Sequence, residues 1–344
     1  MSHQHSHTNP FTILNRFTQR PAAAAAAAAL LVGSMGATTL PTFANSPSGT
    51  AQVRTIYVDP AMGSDRANAG TPNAPFRTIT YALQQSNSST LIQLAPGNYS
   101  AQSGENFPLI IKPNVTLRGD EVNKGKSVRI VGGANFISPS FARQNVAIRA
   151  ENGSQISGVT VTNPNTRGTG LWVESGSPVV ANSTFFNSKR EGIFITGSSS
   201  PKISNNVFTQ NDGNGISAVR SSQGEIRGNL FQNTGFGIAI NDSASPLVAE
   251  NRIIENRDGI VISQSARPVL RSNLIEKNAR DGVVAIAKSQ PDLGTIRSPG
   301  QNVIRSNGRY DLYNATRTNT IFAIGNQLSK TRTMGPIDLT ASRF

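Results

Sequence analysis

A motif that opens on glycine recurs in this chain at steps of 22 or 23 residues, and so short a period leaves few ways to fold. The openings are Gly170-Leu171-Trp172-Val173, Gly192-Ile193-Phe194-Ile195, Gly215-Ile216-Ser217-Ala218, Gly237-Ile238-Ala239-Ile240, Gly259-Ile260-Val261-Ile262 and Gly282-Val283-Val284-Ala285. Within the unit a proline recurs at Pro178, Pro201, Pro246 and Pro268. β-Branched residues follow it, then a corner position at Ser183, Asn206, Asn229, Asn251 and Asn273. Two residues further on stand Phe185, Phe208, Phe231, Ile253 and Ile275, and the unit closes at Asn187, Asn211, Asn233, Asn256 and Asn278. Three short strands and their turns fit such a unit, whereas a helical repeat needs longer amphipathic runs with fewer Asn, Gly and Pro. The unit therefore reads as one coil of an all-β solenoid, a right-handed single-stranded parallel β-helix whose coils stack about 4.8 Å apart. Each column becomes a ladder. Leu171, Ile193, Ile216, Ile238, Ile260 and Val283 face inward, as do Val180, Ile203, Ile226, Val248 and Leu270, while side-chain amides link the corners and satisfy their buried polar groups.

Upstream, residues 55–169 are less regular. Strands are expected at Ile56–Val58, Thr90–Leu94, Leu109–Ile111, Val115–Leu117, Val128–Val131, Val146–Arg149 and Val159–Val161. Pro75–Leu83 reads as a short helix with apolar positions at Ile79, Ala82 and Leu83, a suitable N-terminal cap for an open solenoid end. Residues 1–44 read as a signal peptide. Arg16 and Arg20 precede an apolar run from Ala22 to Val32, and Thr42-Phe43-Ala44 offers small residues where a peptidase cuts. That run is too short for a span of about 20 residues, so no transmembrane segment is expected after cleavage. The plan is then a linker at 45–54, cap and first coils at 55–169, regular repeats at 170–310, and a C-terminal coil and cap at 311–344. The expected location is secreted, periplasmic or at the cell surface.

Composition narrows the chemistry. There is no cysteine, and the three histidines, His3, His5 and His7, all precede the expected cleavage site. The mature chain would therefore lack Ser-His-Asp hydrolysis, Cys-His chemistry and the usual zinc sites. No cofactor or dedicated metal site is expected, with Ca2+ the one ion that adjacent carboxylates would invite. Net charge is +13, and losing Arg16 and Arg20 leaves 30 basic against 19 acidic residues, or +11. Such a surface attracts polyanions. Export argues against nucleic acid and leaves polysaccharide or another acidic envelope component as partner.

The string Ile56-Tyr57-Val58-Asp59-Pro60, Gly63-Ser64-Asp65, Gly70-Thr71, Pro75-Phe76-Arg77-Thr78-Ile79, Ala95-Pro96-Gly97-Asn98-Tyr99 and Phe107-Pro108-Leu109 resembles the start of an uncharacterised prokaryotic family. That family is catalogued as a domain of unknown function within the pectin lyase-like superfamily. The resemblance spans roughly residues 55–300 and implies a right-handed β-helix outside the cytoplasm, without supplying an activity. Catalytic patterns of polygalacturonases and pectate lyases do not carry over, since neither the Asp-Asp and Gly-His pairs nor the calcium-binding Asp cluster with Arg-x-Pro-x-x-Arg is found.

Two sets of residues are candidates for a site. Alternation after each glycine sends Trp172 and Phe194 outward on neighbouring rungs. There they either stack on sugar, with Glu174 and Arg190 adding hydrogen bonds, or lie under a covering segment. A second column, just before the glycines, puts Asp258 and Asp281 one rung apart beside Arg257 and Arg280. Such carboxylates suit a cation or acid-base work, yet Asp-Gly is also a favoured turn pair. The two functions that remain are binding without catalysis, and a carboxylate-based polysaccharide lyase, hydrolase or epimerase.

Overall fold

The structure, a computed structural model, describes residues 53–316 and 318–340. The expected signal peptide lies outside the described residues. The chain divides into units at residues 1–48 and 49–344, and the description below concerns the second.

The backbone winds as a right-handed parallel β-helix in which each coil gives one strand to each of three sheets. One coil contributes Lys202–Ser204, Val207–Thr209 and Ile216–Ala218, and each pairs in parallel with its counterparts one coil before and after. The first two sheets have nine strands each, and the third has eleven, one of which pairs antiparallel beside the stack. The inward columns read from the sequence form the core: Leu171, Ile193, Ile216, Ile238, Ile260 and Val283 are all 0% exposed. Inside, Phe185, Phe208 and Phe231 stack with centroids 5.1 and 4.6 Å apart.

Corners this tight need one residue per turn in the left-handed region. The coil starting at Lys202 has three: Asn205 (φ 57°), Gln210 (φ 55°) and Arg220 (φ 60°). After the first corner, Asn206, Asn229, Asn251, Asn273 and Asn302 stack, each backbone N–H donating to the next amide oxygen at 2.9–3.1 Å. After the second corner the Ser188 amide donates to Asn211, and a second run of this ladder links Thr234, Asn256, Asn278 and Asn307 in the same way. Asn187 and Asn233, expected in that ladder, instead hold its left-handed positions and are exposed. Glycine before the third strand is steric: a Cβ on Gly215 would lie 2.5 Å from the Phe231 ring and 2.6 Å from the Gly237 oxygen.

The cap is a helix at Ile79–Gln85, with Ile79, Ala82 and Leu83 buried as expected. It begins four residues later than the sequence suggested. The Asp65 carboxylate accepts from the Arg77 and Thr78 amides, and Phe76 bridges to Val58, so this stretch is extended. Glu105 accepts from the first helical amides, Ile79 at 2.7 Å and Thr80 at 2.9 Å, and burial raises its carboxyl above the usual range.

Two features depart from the regular coil. Ala134–Ser138 pairs antiparallel with Ala142–Ala150, making a hairpin that folds over the outer face of the third sheet. Later, the repeat lengthens: Val283 pairs with Leu312 and Ile275 with Ile304, 29 residues on instead of 22 or 23.

Candidate functional site

The aromatic pair is sealed. Trp172 is 0% and Phe194 5% exposed, so the open sugar platform considered from the sequence is not what the fold presents. The rings do point outward on neighbouring rungs, stacked at 4.3 Å and 10°, but the hairpin covers them. Phe136 and Phe141 meet the indole edge-on at 6.2 Å each, and Phe141 meets Phe194 at 5.2 Å. Arg149 and Arg220 lie over the outer sides of Phe136 and Phe141, at 5.0 and 5.2 Å. Glu174 and Arg190 both bond to the hairpin. The Glu174 carboxylate accepts from the Trp172 indole at 3.1 Å, the Ser138 hydroxyl at 2.9 Å and the Ser140 amide at 3.0 Å. Partial burial works against its charge, but bonds from Ser140, Trp172 and Ser138 outweigh it and hold the carboxyl below its ordinary value. Arg190 donates to Gln144 at 2.9 Å and to Glu191 at 3.2 Å.

The second column gives a different object, an arginine ladder built on buried acids. Asp258 is 2% and Asp281 0% exposed. The Asp258 carboxylate accepts from the Asp281 amide at 3.3 Å and pairs with both Arg257 and Arg280 at 3.7 Å. Asp281 is held by Arg309, whose Nε donates at 3.0 Å, and by the Tyr310 amide at 3.0 Å. The bond to Asp281 keeps the Arg309 guanidinium more firmly charged than usual. Thus each acid faces arginines of its own or a neighbouring rung, and neither carboxylate points at solvent. The arginines do: the side chains of Arg257, Arg280 and Arg309 are 55%, 54% and 48% exposed. They sit on consecutive rungs, since the Arg280 amide donates to the Arg257 carbonyl and the Arg309 amide to that of Arg280. Aromatic rings support them. Arg257 lies 4.5 Å from the centre of Phe236, and Arg309 lies 5.7 and 5.5 Å from Tyr310 and Tyr313. Arg332 extends the row, pairing at 3.5 Å with Asp311, which is 2% exposed.

Arg257, Arg280, Asp258 and Asp281 are legible in the sequence because they flank the glycine column. Arg309, Arg332, Tyr310 and Tyr313 are not, since they follow the 29-residue coil and so fall out of step with a 22-residue alignment. The signal was there: Arg309 precedes Tyr310-Asp311 as Arg257 and Arg280 precede Asp-Gly. Elsewhere on the surface, Arg227 of the first sheet pairs with Glu225 and Glu250 as a solvated cluster, and on the second sheet Arg305 pairs at 2.9 Å with the buried Glu276. Among the described residues no group of three or more His, Cys, Asp or Glu side chains is placed to hold a metal ion. None of their helices is long and apolar enough to cross a membrane.

Among solved structures the chain is similar to pectate lyase Pel9A, with 16% identity, a TM-score of 0.54, and coverage of 86% of this chain and 80% of that one. It is also similar to XylC in its complex with xylose, with 12% identity, a TM-score of 0.51, and coverage of 80% and 70%. At such identities these likenesses speak for the pectate lyase-like β-helix alone. No curated protein matches the sequence. A family profile does match, over residues 61–334, and the chain belongs to that family, Protein of unknown function (DUF1565).

Proposed function

We propose that this is an exported β-helix that binds acidic polysaccharide along the arginine ladder and does not cleave it. The observation that carries the reading is the asymmetry of exposure in the ladder. Arg257, Arg280 and Arg309 stand about half exposed while Asp258 and Asp281 are buried beneath them. The acids orient the guanidiniums, and the outer face offers repeated positive charge at the spacing of the coils, about 4.8 Å. A linear polymer with regularly spaced carboxylates or sulfates suits such a row, because each guanidinium can form paired hydrogen bonds to two oxygens of one anionic group. The excess of basic residues adds long-range attraction. Export rests on the Arg16 to Ala44 pattern in the sequence. Acid-base catalysis at Asp258 and Asp281 is disfavoured, since a general acid or base must reach its substrate and these oxygens are turned to arginines.

Retention on a polyuronate matrix and on a neutral dextran matrix tests this. The acidic matrix should hold the protein more tightly, and retention should fade as salt rises past physiological strength, where the screening length is about 8 Å. Arg280→Gln, which leaves Asp258 paired with Arg257, should weaken retention several-fold more than Arg252→Gln on the exposed second sheet, although both remove one charge. Equal losses would reduce the binding to net charge. New reducing or unsaturated ends in the eluted polymer would make the protein an enzyme instead.

A further inference from the structure

The 29-residue coil adds an insertion between the third sheet and the return to the second, and in repeat proteins such insertions gather on binding faces. Here the insertion forms one wall of a pocket of about 420 Å³, and residues 318–322, which lead into the short strand Ile321–Phe322, form the other. That volume falls within the range of about 300–1,000 Å³ typical of small-molecule sites. The walls are fixed without a ligand. Asp292 is held by Arg271 at 2.7 Å and by the Gly294 amide at 2.8 Å, and Thr295 closes a turn onto the Ser298 carbonyl at 2.9 Å. Asn326 ties Leu293 at 2.7 Å, and Asn319 donates to the Ser289 carbonyl at 3.1 Å.

The lining has a specific chemistry. Phe322 is 50% exposed while its neighbour Ile321 is 2% exposed and anchors the strand in the core. The same lining carries Pro291 and the uncharged polar side chains of Gln290, Thr295, Thr318, Asn319 and Thr320. The one acid of the lining, Asp292, is already matched by Arg271. An apolar ring face beside several hydroxyls and amides, with no free charge, complements a molecule with an apolar C–H face and a rim of hydroxyl groups. We propose that this pocket binds an uncharged pyranose ring, as a free sugar or as one residue of a glycan. It rests on different residues from the arginine ladder and stands or falls separately from it.

Saturation-transfer NMR tests it, using methyl glycosides of glucose, galactose, mannose and xylose at millimolar concentration, with methyl galacturonoside as the charged counterpart. At least one neutral glycoside should receive saturation, with a weaker response from the uronoside. Phe322→Ala should reduce that signal several-fold, and Thr320→Val, which keeps the side chain's shape, should also reduce it, while Arg280→Gln should leave it unchanged. The thermal midpoint of each variant shows that it is folded. Absence of transfer to all four neutral glycosides, or transfer that survives both pocket substitutions, would overturn the assignment.

Discussion

Asn229 uses every polar atom it has. Its oxygen accepts from the backbone and side-chain amides of Asn206 at 2.9 and 3.1 Å, and its own amide donates to the Ile203 carbonyl and to Asn251, each at 3.0 Å. Aspartate could not donate, and leucine could do neither. Asn229→Ala leaves these buried partners unpaired and should cost about 1–3 kcal/mol or somewhat more. Asn233→Gly, at an exposed position with φ 56°, should stay within about 0.5 kcal/mol of the parent, because glycine accepts left-handed backbone freely. Urea denaturation of both variants decides it, and equal destabilisation would contradict the ladder. The same pair shows what the sequence conceals. Asparagine suits both a buried amide ladder and a left-handed corner, so the periodic column at Asn206 and Asn229 was legible. At the second corner Asn211, Asn256 and Asn278 bond in the ladder, but in two coils the bonding residue is Ser188 or Thr234, one place beyond Asn187 and Asn233.

At the scale of elements, the hairpin of residues 134–150 governs the third sheet's outer face. That Trp172 and Phe194 share this face followed from strand alternation, and a covering segment was one of the two arrangements expected, but which segment covers them did not follow, because Phe136 and Phe141 belong to no repeat. Trp172 is the chain's single tryptophan, so its emission reports on the hairpin alone. The parent should emit at short wavelength and resist quenching. Glu174→Ala removes the acceptor shared by Ser138, Ser140 and the indole, and should shift emission to the red while the solenoid stays folded. Acid should act in the same direction. The folded Glu174 carboxyl lies below its ordinary value, so its stabilising effect is complete above that value and is lost as pH falls through the lowered one. A Trp172 signal indifferent both to Glu174→Ala and to acidification below that lowered carboxyl value would mean that packing of Phe136 and Phe141, not the carboxylate, holds the hairpin.

Across the described residues, one core passes from Ile56 beneath the N-terminal helix to Ile321 and Ala323 near the other end, with the stacked strands pairing from coil to adjacent coil. The ladder and the pocket both border the third sheet where this core is continuous: strand Val283–Ala287 follows Arg280 and Asp281 and leads to Gln290. Both therefore depend on coils that cannot shift independently. In such a quasi-one-dimensional stack, stability is carried by contacts between adjacent coils, and damage at the middle separates two halves that each keep an uncovered end. Ile238 sits there, 0% exposed, between Ile216 and Ile260. Ile238→Asp places an unpaired charge among apolar side chains at a cost of several kcal/mol, enough to lower the thermal midpoint sharply or prevent folding. Ser200→Asp adds the same charge at an exposed turn and should leave the midpoint nearly unchanged. Should the two variants melt together, the register that places Ile238 inside, and with it the stacking of Arg257 on Arg280, would be wrong.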